Sequence, residues 1–74
     1  MNLLLAREGI FNVVRVEAGF LAKRRLAHLG IYRGAKIEKT DYSRVILPVK
    51  LLVKGSEIVI GRSLADKIKV ELAL

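Results

Sequence analysis

The side chains that most often carry out catalysis are sparse in this chain of 74 residues, and their spacing assembles no active site. The chain contains one histidine, His28, and no cysteine. A histidine that acts as a general base needs a group that orients it, and no carboxylate stands at a suitable spacing from His28. No serine lies in a nucleophile motif either. We therefore predict that the protein is not an enzyme, and that His28 is a solvated residue favoured by the negative end of a helix.

Metal and phosphate sites find equally little support. The nearest carboxylates, Glu38 and Asp41, would supply only part of a site for a hard cation, and a strand would place them on opposite faces. Gly30 and Gly34 follow a predicted helix, whereas a phosphate loop follows a strand and precedes a helix. The sequence thus predicts no metal, no cofactor and no catalytic residue.

Basic side chains are the chemical feature that the sequence concentrates. Fourteen Lys and Arg residues against seven Asp and Glu residues leave a formal net charge of +7. This excess favours an acidic protein surface, nucleic acid or an anionic membrane surface as the partner, without choosing among them. Between Phe20 and Lys36 the sequence has no acidic residue, and its basic residues there include Lys23, Arg24, Arg25 and Arg33.

Aromatic side chains near these basic residues keep nucleic-acid binding open as an alternative. Phe20, Tyr32 and Tyr42 could stack on bases beside the cations. Packing in the core or at its rim explains the same aromatics as readily, and no known RNA-binding motif is matched. Nucleic acid is therefore the second interpretation, behind a protein partner.

The segment from Phe20 to Gly34 contains the clearest helix of the sequence. Ala22, Leu26 and Leu29 share one narrow stripe, which we expect to be buried. Gly30 is placed to end the helix in a Schellman motif, in which the amide of Ile31 reaches the carbonyl of Leu26. The side chains predicted to point away from the stripe or to flank it are Lys23, Arg24, Arg25 and His28.

Short strands account for most of the remaining chain. The first begins at Gly9 and is predicted to bury Val14, Val16 and Ala18, and the second covers residues 35–42 with Ile37 inward. The last alternates Ile68, Val70 and Leu72 with charged residues and is expected to pair with the first. A helical turn before it is predicted to carry a capping box formed by Ser63 and Asp66.

A hairpin is the strongest local prediction. Residues 49–53 and 57–60 alternate in hydrophobicity around Gly55-Ser56, which suits a two-residue loop with glycine first. That loop would place Lys54 opposite Glu57 and Leu52 opposite Val59. Leu52 and Val59 would then form an apolar pair on the outer face of the sheet. We expect residues 3–5 to cover it, and the alternative is a patch that binds a partner.

The predicted order is β-α-β-β-β-turn-β, a mainly β chain that forms a small curled barrel with one helix packed on it. Seventy-four residues suit a single domain spanning 1–74. The richest apolar stretch, residues 45–53, is broken by Pro48 and Lys50 and is too short for a membrane helix. The apolar run before Arg7 is too short for a signal peptide. We expect a soluble cytoplasmic protein.

Two segments of the sequence, RRLAHLGIYRGAKI and PVKLLVKGSEIVIGRSLADKIKVE, resemble the ferrous iron transport protein A (FeoA) family. The first family motif is matched by Arg24, Leu26, Leu29, Gly30, Ile31, Gly34 and Ile37. The second is matched by Gly55, Ile58, Ile60, Ala65, Ile68 and Val70. Two departures are Arg33, where the family usually has proline, and Lys39, at a position that is often apolar.

The resemblance implies an SH3-like barrel without catalysis that modulates the ferrous iron permease, whose cytosolic part is a G-protein-like GTPase. Similar domains end iron-dependent transcriptional repressors, so a repressor-associated or nucleic-acid-binding barrel is the alternative. We expect the protein to lie in the cytoplasm, peripheral to the inner membrane through its partner, and not to insert into the membrane. The residues predicted to bind that partner are Lys23, Arg24, Arg25, His28, Ile31, Arg33, Leu52 and Val59.

Overall fold

The computed structural model describes residues 1–40 and 48–73. Within them the elements are β1 (Gly9–Val16), α1 (Phe20–His28), β2 (Lys36–Lys39), β3 (Val49–Val53), β4 (Ser56–Ile60), α2 (Arg62–Ala65) and β5 (Ile68–Leu72). The five strands form one antiparallel sheet in the order β4-β3-β2-β1-β5. The predicted element order is confirmed, and β5 pairs with β1 as expected.

The core lies on the inner face of this sheet, and α1 contributes Leu26 to it as its buried residue. Its largest fully buried side chains are Leu3, Leu26, Ile31, Ile37, Leu51, Ile68 and Val70. Leu3 reaches the core because the amide of Leu3 donates to the carbonyl of Ile68 at 2.9 Å, which ties the N-terminal segment to β5. That segment therefore fills the core and does not cover the outer face, where Leu52 is 36% exposed and Val59 is 52% exposed. The prediction that residues 3–5 cover these two side chains is wrong.

Lys39 is buried at the end of β2 and holds the N-terminal segment in place. Its side chain is inward beside that of Ile37, and the residue is 2% exposed. The ammonium Nζ donates to the carbonyl oxygens of Leu3, Leu4 and Ala6 at 3.0, 3.1 and 2.6 Å. This arrangement explains how Lys39 can occupy a position that is often apolar in the family. Its aliphatic stem packs in the core, and the three carbonyls take the place of water around its charge.

A β-bulge divides the first strand into two halves. Val13 pairs with Val70 but Arg15 pairs with Lys69, so Val14 is the extra residue on β1. The bulge shifts the alternation of the strand, and Val13 and Val16 are buried while Val14 is exposed. The predicted dry face of Val14, Val16 and Ala18 is therefore wrong at Val14.

The β3–β4 hairpin forms with a different loop from the predicted one. Val53 faces Ser56 and Leu52 faces Glu57, so the loop is Lys54-Gly55. Both loop residues have positive φ, 51° and 83°, the pattern of a type I′ turn whose twist matches the strands. The predicted pairs Lys54 with Glu57 and Leu52 with Val59 are wrong. Because the register moves by two residues, every side chain keeps its predicted face.

The end of α1 confirms the predicted Schellman motif. The amide of Ile31 donates to the carbonyl of Leu26 at 2.8 Å, and that of Gly30 donates to the carbonyl of Ala27 at 3.0 Å. Gly30 has a φ of +91°, as this motif requires. Leu29, however, is 46% exposed and not part of a buried stripe. It is the C-cap residue, and its side chain borders an open cleft beyond the last helical turn.

Two further boundaries differ from the predictions. Helix α2 begins at Arg62 after Gly61, without a side-chain cap, so Ser63 lies inside it and the predicted capping box is wrong. Asp66 is the C-cap, and its carboxylate accepts a hydrogen bond from the side-chain Nδ2 of Asn2. Strand β2 covers Lys36–Lys39, a part of the predicted range 35–42. The end of that range, with Asp41 and Tyr42, lies outside the described residues.

Candidate protein-docking surface

The predicted partner-binding residues lie on separate parts of the surface. Arg24, Arg25 and His28 are exposed on the outward side of α1, opposite the buried Leu26. Lys23 and Arg33 line a pocket beside the helix, and Leu52 and Val59 lie on the outer face of the sheet. Ile31 is fully buried. The Schellman motif turns its side chain inward, so that it packs in the core and also forms part of the wall of the pocket beside the helix.

The pocket beside α1, here called the basic pocket, has a volume of about 320 Å³. Buried apolar residues form part of its wall, notably Val16 and Ile31, and the exposed ring of Tyr32 adds an aromatic surface. Its full lining is Arg15, Val16, Lys23, Ala27, Ile31, Tyr32 and Arg33. Three of these residues are basic and none is acidic, so the pocket combines apolar walls with positive charge.

Three local features place the basic side chains around this pocket. Arg15 follows the bulge on the exposed side of β1, and its Nε lies 2.8 Å from a carboxylate oxygen of Glu17. Lys23 projects from α1. Arg33 occupies the second position of a turn in which the amide of Ala35 donates to the carbonyl of Tyr32 at 2.9 Å. Gly34 at the third position has a φ of +92°, as in a type II turn, so Arg33 takes the place where proline is common.

An open cleft, here called the hairpin cleft, separates the end of α1 from the β3–β4 hairpin. Its volume is about 510 Å³, and His28, Leu29, Tyr32, Lys54 and Glu57 are among its lining residues. The Nζ of Lys54 lies 3.3 Å from the hydroxyl of Tyr32 and 5.5 Å from the centre of its ring. This contact joins the hairpin loop to the loop after α1, so Tyr32 borders both the cleft and the basic pocket.

The outer face of the sheet carries a third candidate surface, the sheet patch of Ile10, Leu52 and Val59. All three side chains are exposed. The register aligns Ile10 with Glu38, Glu38 with Leu52, and Leu52 with Glu57 across four strands. Acidic side chains therefore flank Leu52 on both neighbouring strands, which makes the patch less suited to an acidic partner than the basic pocket.

Metal-binding clusters and membrane-spanning helices are both absent from residues 1–40 and 48–73. No group of three or more His, Cys, Asp or Glu side chains in these ranges could hold a metal ion. No helix within the described chain has the length and apolar character needed to cross a bilayer.

The residues predicted to bind a protein partner did not include several residues of these surfaces, among them Ile10, Arg15, Leu29, Tyr32 and Lys54. Arg15 is exposed, as its alternation with Val16 predicts, but no local pattern indicates that it lies beside α1 and Arg33. Tyr32 and Lys54 meet across the two loops, and a Lys-Gly pair between alternating strands was a usable signal for the type I′ turn. Leu29 was assigned to the buried stripe, although its position next to the capping Gly30 indicates the helix end.

The family model for the FeoA domain matches residues 1–72 of the chain. A related sequence, the putative Fe(2+) transport protein A of Methanocaldococcus jannaschii, is 41% identical over 70 residues. The match covers 93% of this chain and 83% of the relative. Sequence similarity therefore extends over nearly the whole chain and includes all the candidate surfaces.

Solved structures show the same fold. The FeoA protein from Chlorobium tepidum superposes with a TM-score of 0.86 at 28% identity, covering all of this chain and 71% of that one. ScaR with bound Zn²⁺ superposes with a TM-score of 0.87 at 28% identity, covering 99% of this chain but only 37% of ScaR. The sequence and structural matches together establish that the chain belongs to the FeoA family, which is associated with Fe(2+) transport, and has its SH3-like fold.

Proposed function

We propose that this chain is a non-catalytic cytoplasmic accessory protein of ferrous iron uptake that docks on the cytosolic GTPase region of the ferrous iron permease. The observation that carries the proposal is the basic pocket, in which Arg15, Lys23 and Arg33 surround apolar walls and the ring of Tyr32. Family membership supplies the link to Fe(2+) transport.

The chemistry of the pocket favours a protein partner that presents an apolar side chain flanked by carboxylates. Burying one large apolar side chain stabilises a complex by about 1.5–3 kcal/mol. Basic residues at the rim accelerate association with an acidic surface and select against basic ones. Tyr32 and the arginines are also of the residue types that dominate binding energy in protein interfaces.

A matched pair of charge-reversal variants tests this docking. Lys23→Glu with Arg33→Glu alters the basic pocket, while Lys36→Glu with Lys67→Glu makes the same change of charge at exposed positions outside it. Titration against the isolated cytosolic region of the permease should show at least tenfold weaker binding for the pocket variant and a much smaller effect for the control. Ferrous iron uptake by cells that carry the permease should fall with the pocket variant only.

Equal weakening by both variants would show that docking depends on net charge and not on the pocket. Unchanged binding by both variants would indicate that the partner docks on the sheet patch and not on the basic pocket. The double substitution Leu52→Ser and Val59→Ser then becomes the decisive variant, because it removes two of the three apolar side chains of that patch and leaves every charge in place.

Nucleic acid is the second candidate function, and the structural likeness to a part of the manganese-activated repressor ScaR favours it. Salt dependence separates the two functions. Three phosphate contacts made by the basic pocket would reduce affinity about 40-fold between 50 and 200 mM salt, because counterions are released on binding. Docking on a protein through apolar contacts should weaken far less. Titrating both partners at the two salt concentrations therefore distinguishes them.

A further inference from the structure

The first turn of α1 presents two large apolar side chains to solvent. Phe20 is 75% exposed and Leu21 is 72% exposed, and Phe20 has the highest exposed fraction of any large hydrophobic residue in the described chain. Neither side chain lines the basic pocket, the hairpin cleft or the smaller cleft beside Leu52. Docking through the basic pocket therefore leaves both unexplained.

Basic side chains lie next to this apolar pair, one helical turn further along α1. Arg24 lies four residues after Phe20 and Arg25 four residues after Leu21, so each arginine is a neighbour of an apolar side chain on the helix surface. All four residues are exposed, while Leu26 on the opposite side is buried. We call Phe20, Leu21, Arg24 and Arg25 the helix face.

Acidic side chains are absent from this region of the sequence. No Asp or Glu lies between Glu17 and Glu38, and the first turn of α1 contains none. The helix face is thus positively charged without internal neutralisation. Its shape also differs from that of the basic pocket, since it is the outer side of a helix and offers no concave wall.

We infer that the helix face binds the surface of an anionic lipid bilayer, with Phe20 and Leu21 at the boundary between headgroups and acyl chains and Arg24 and Arg25 at the phosphates. A bilayer accepts a projecting apolar pair without needing a complementary pocket, and the basic side chains add attraction to anionic lipids. A protein partner would have to supply both a groove for the apolar pair and carboxylates one helical turn away.

The two surfaces have separate roles and separate residues. The basic pocket and the helix face share no residue, so lipid binding does not depend on the proposed docking and can occur together with it. Two apolar side chains and a few basic residues produce weak, reversible attachment. Such attachment would raise the local concentration of the chain at the membrane that contains the permease.

The test measures binding of the isolated protein to sucrose-loaded vesicles by sedimentation. Vesicles of equal parts phosphatidylglycerol and phosphatidylcholine should bind the protein, vesicles of phosphatidylcholine alone should not, and added salt should weaken the binding. Arg24→Gln with Arg25→Gln should reduce partitioning about 25-fold, at about fivefold for each basic residue. Phe20→Ser with Leu21→Ser, which leaves the charge unchanged, should reduce it at least tenfold.

Matched controls carry the same chemical changes away from the helix face. Lys36→Gln with Lys67→Gln removes two charges, and Leu52→Ser with Val59→Ser removes two exposed apolar side chains. Both controls should retain most of the parent's partitioning. Since the chain has no tryptophan, Phe20→Trp introduces a single reporter whose emission should shift to the blue on phosphatidylglycerol vesicles and be quenched by brominated lipids.

Three results would overturn the inference. One is absence of parent binding to anionic vesicles at low salt, and another is equal loss in the control variants, which would mean attraction by net charge alone. The third is unchanged vesicle binding by Phe20→Ser with Leu21→Ser, together with weaker docking on the permease region or loss of self-association. That result would assign the helix face to a protein partner.

Discussion

The ammonium of Lys39 donates a hydrogen bond to the carbonyl oxygen of Ala6 over 2.6 Å, between residues 33 positions apart in the chain. The same ammonium also reaches the carbonyls of Leu3 and Leu4. One buried cation therefore fixes the path of the N-terminal segment and, through it, the position of Leu3 in the core. Its role in this chain is structural.

Removing that ammonium should destabilise the protein substantially. Lys39→Met keeps most of the apolar stem but takes the donor away from the three carbonyls, and we expect a loss of about 2–3 kcal/mol in the free energy of unfolding. Lys36→Met changes an exposed lysine of the same strand and should cost less than about 0.5 kcal/mol. Urea unfolding of both variants provides the measurement. Similar values for the two would refute the anchoring role of Lys39.

The two leucines near the end of α1 should differ sharply in their contributions. Leu26→Ala opens a cavity beside Ile31 and should cost roughly 2–5 kcal/mol, whereas Leu29→Ala alters a half-exposed side chain and should cost less than about 1 kcal/mol. Lys23→Ala serves as a surface reference at less than about 0.5 kcal/mol. Thermal unfolding should rank the variants in that order. Equal losses of stability for Leu26→Ala and Leu29→Ala would instead support the prediction that both side chains belong to one buried stripe.

Gly30 and Gly34 have the same backbone conformation, so alanine substitutions at the two positions distinguish the cost of backbone strain from the cost of a steric clash. Gly30 and Gly34 have φ values of +91° and +92°, but only at Gly30 would a Cβ meet a close neighbour, Cγ1 of Val53 at 2.9 Å. Gly34→Ala should therefore cost about 1–2 kcal/mol for the left-handed conformation alone. Gly30→Ala should cost measurably more in the same denaturation experiment. Equal costs would show that Val53 moves aside freely.

The register of the β3–β4 hairpin determines whether a substitution at Lys54 stabilises or destabilises the protein. Lys54 has a φ of 51°, a conformation that asparagine tolerates better than lysine does. Lys54→Asn creates the Asn-Gly pair preferred in type I′ turns and should stabilise the protein by about 0.5–1 kcal/mol. With Gly55-Ser56 as the loop, Lys54 would be a strand residue and asparagine would be unfavourable there. A lower midpoint of unfolding would thus support the other register.

Local patterns in the sequence determined the class of fold and the order of its elements. Alternation with a period of two identified the strands, and the pair Gly30 and Ile31 identified the Schellman end of α1, because both signals depend on residues close in the chain. The family motifs extend the same reasoning and agree with the match over residues 1–72. The exposure of Arg24, Arg25 and His28 also followed from helical periodicity alone.

Tertiary structure alone decided which surfaces those elements create. Arg15 of β1, Lys23 of α1 and Arg33 of the following loop meet in the basic pocket although they are far apart in the sequence. The bulge in the pairing of β1 with β5 exposes Val14, where strict alternation predicts burial. Lys39 is buried because three carbonyls from the other end of the chain solvate it, an arrangement that no local pattern records. The hairpin register likewise depends on matching the twist of the strands, which selects Lys54-Gly55 over a loop of equally plausible composition. Residues far apart in the chain therefore build the basic pocket, whereas the helix face consists of residues close together on α1.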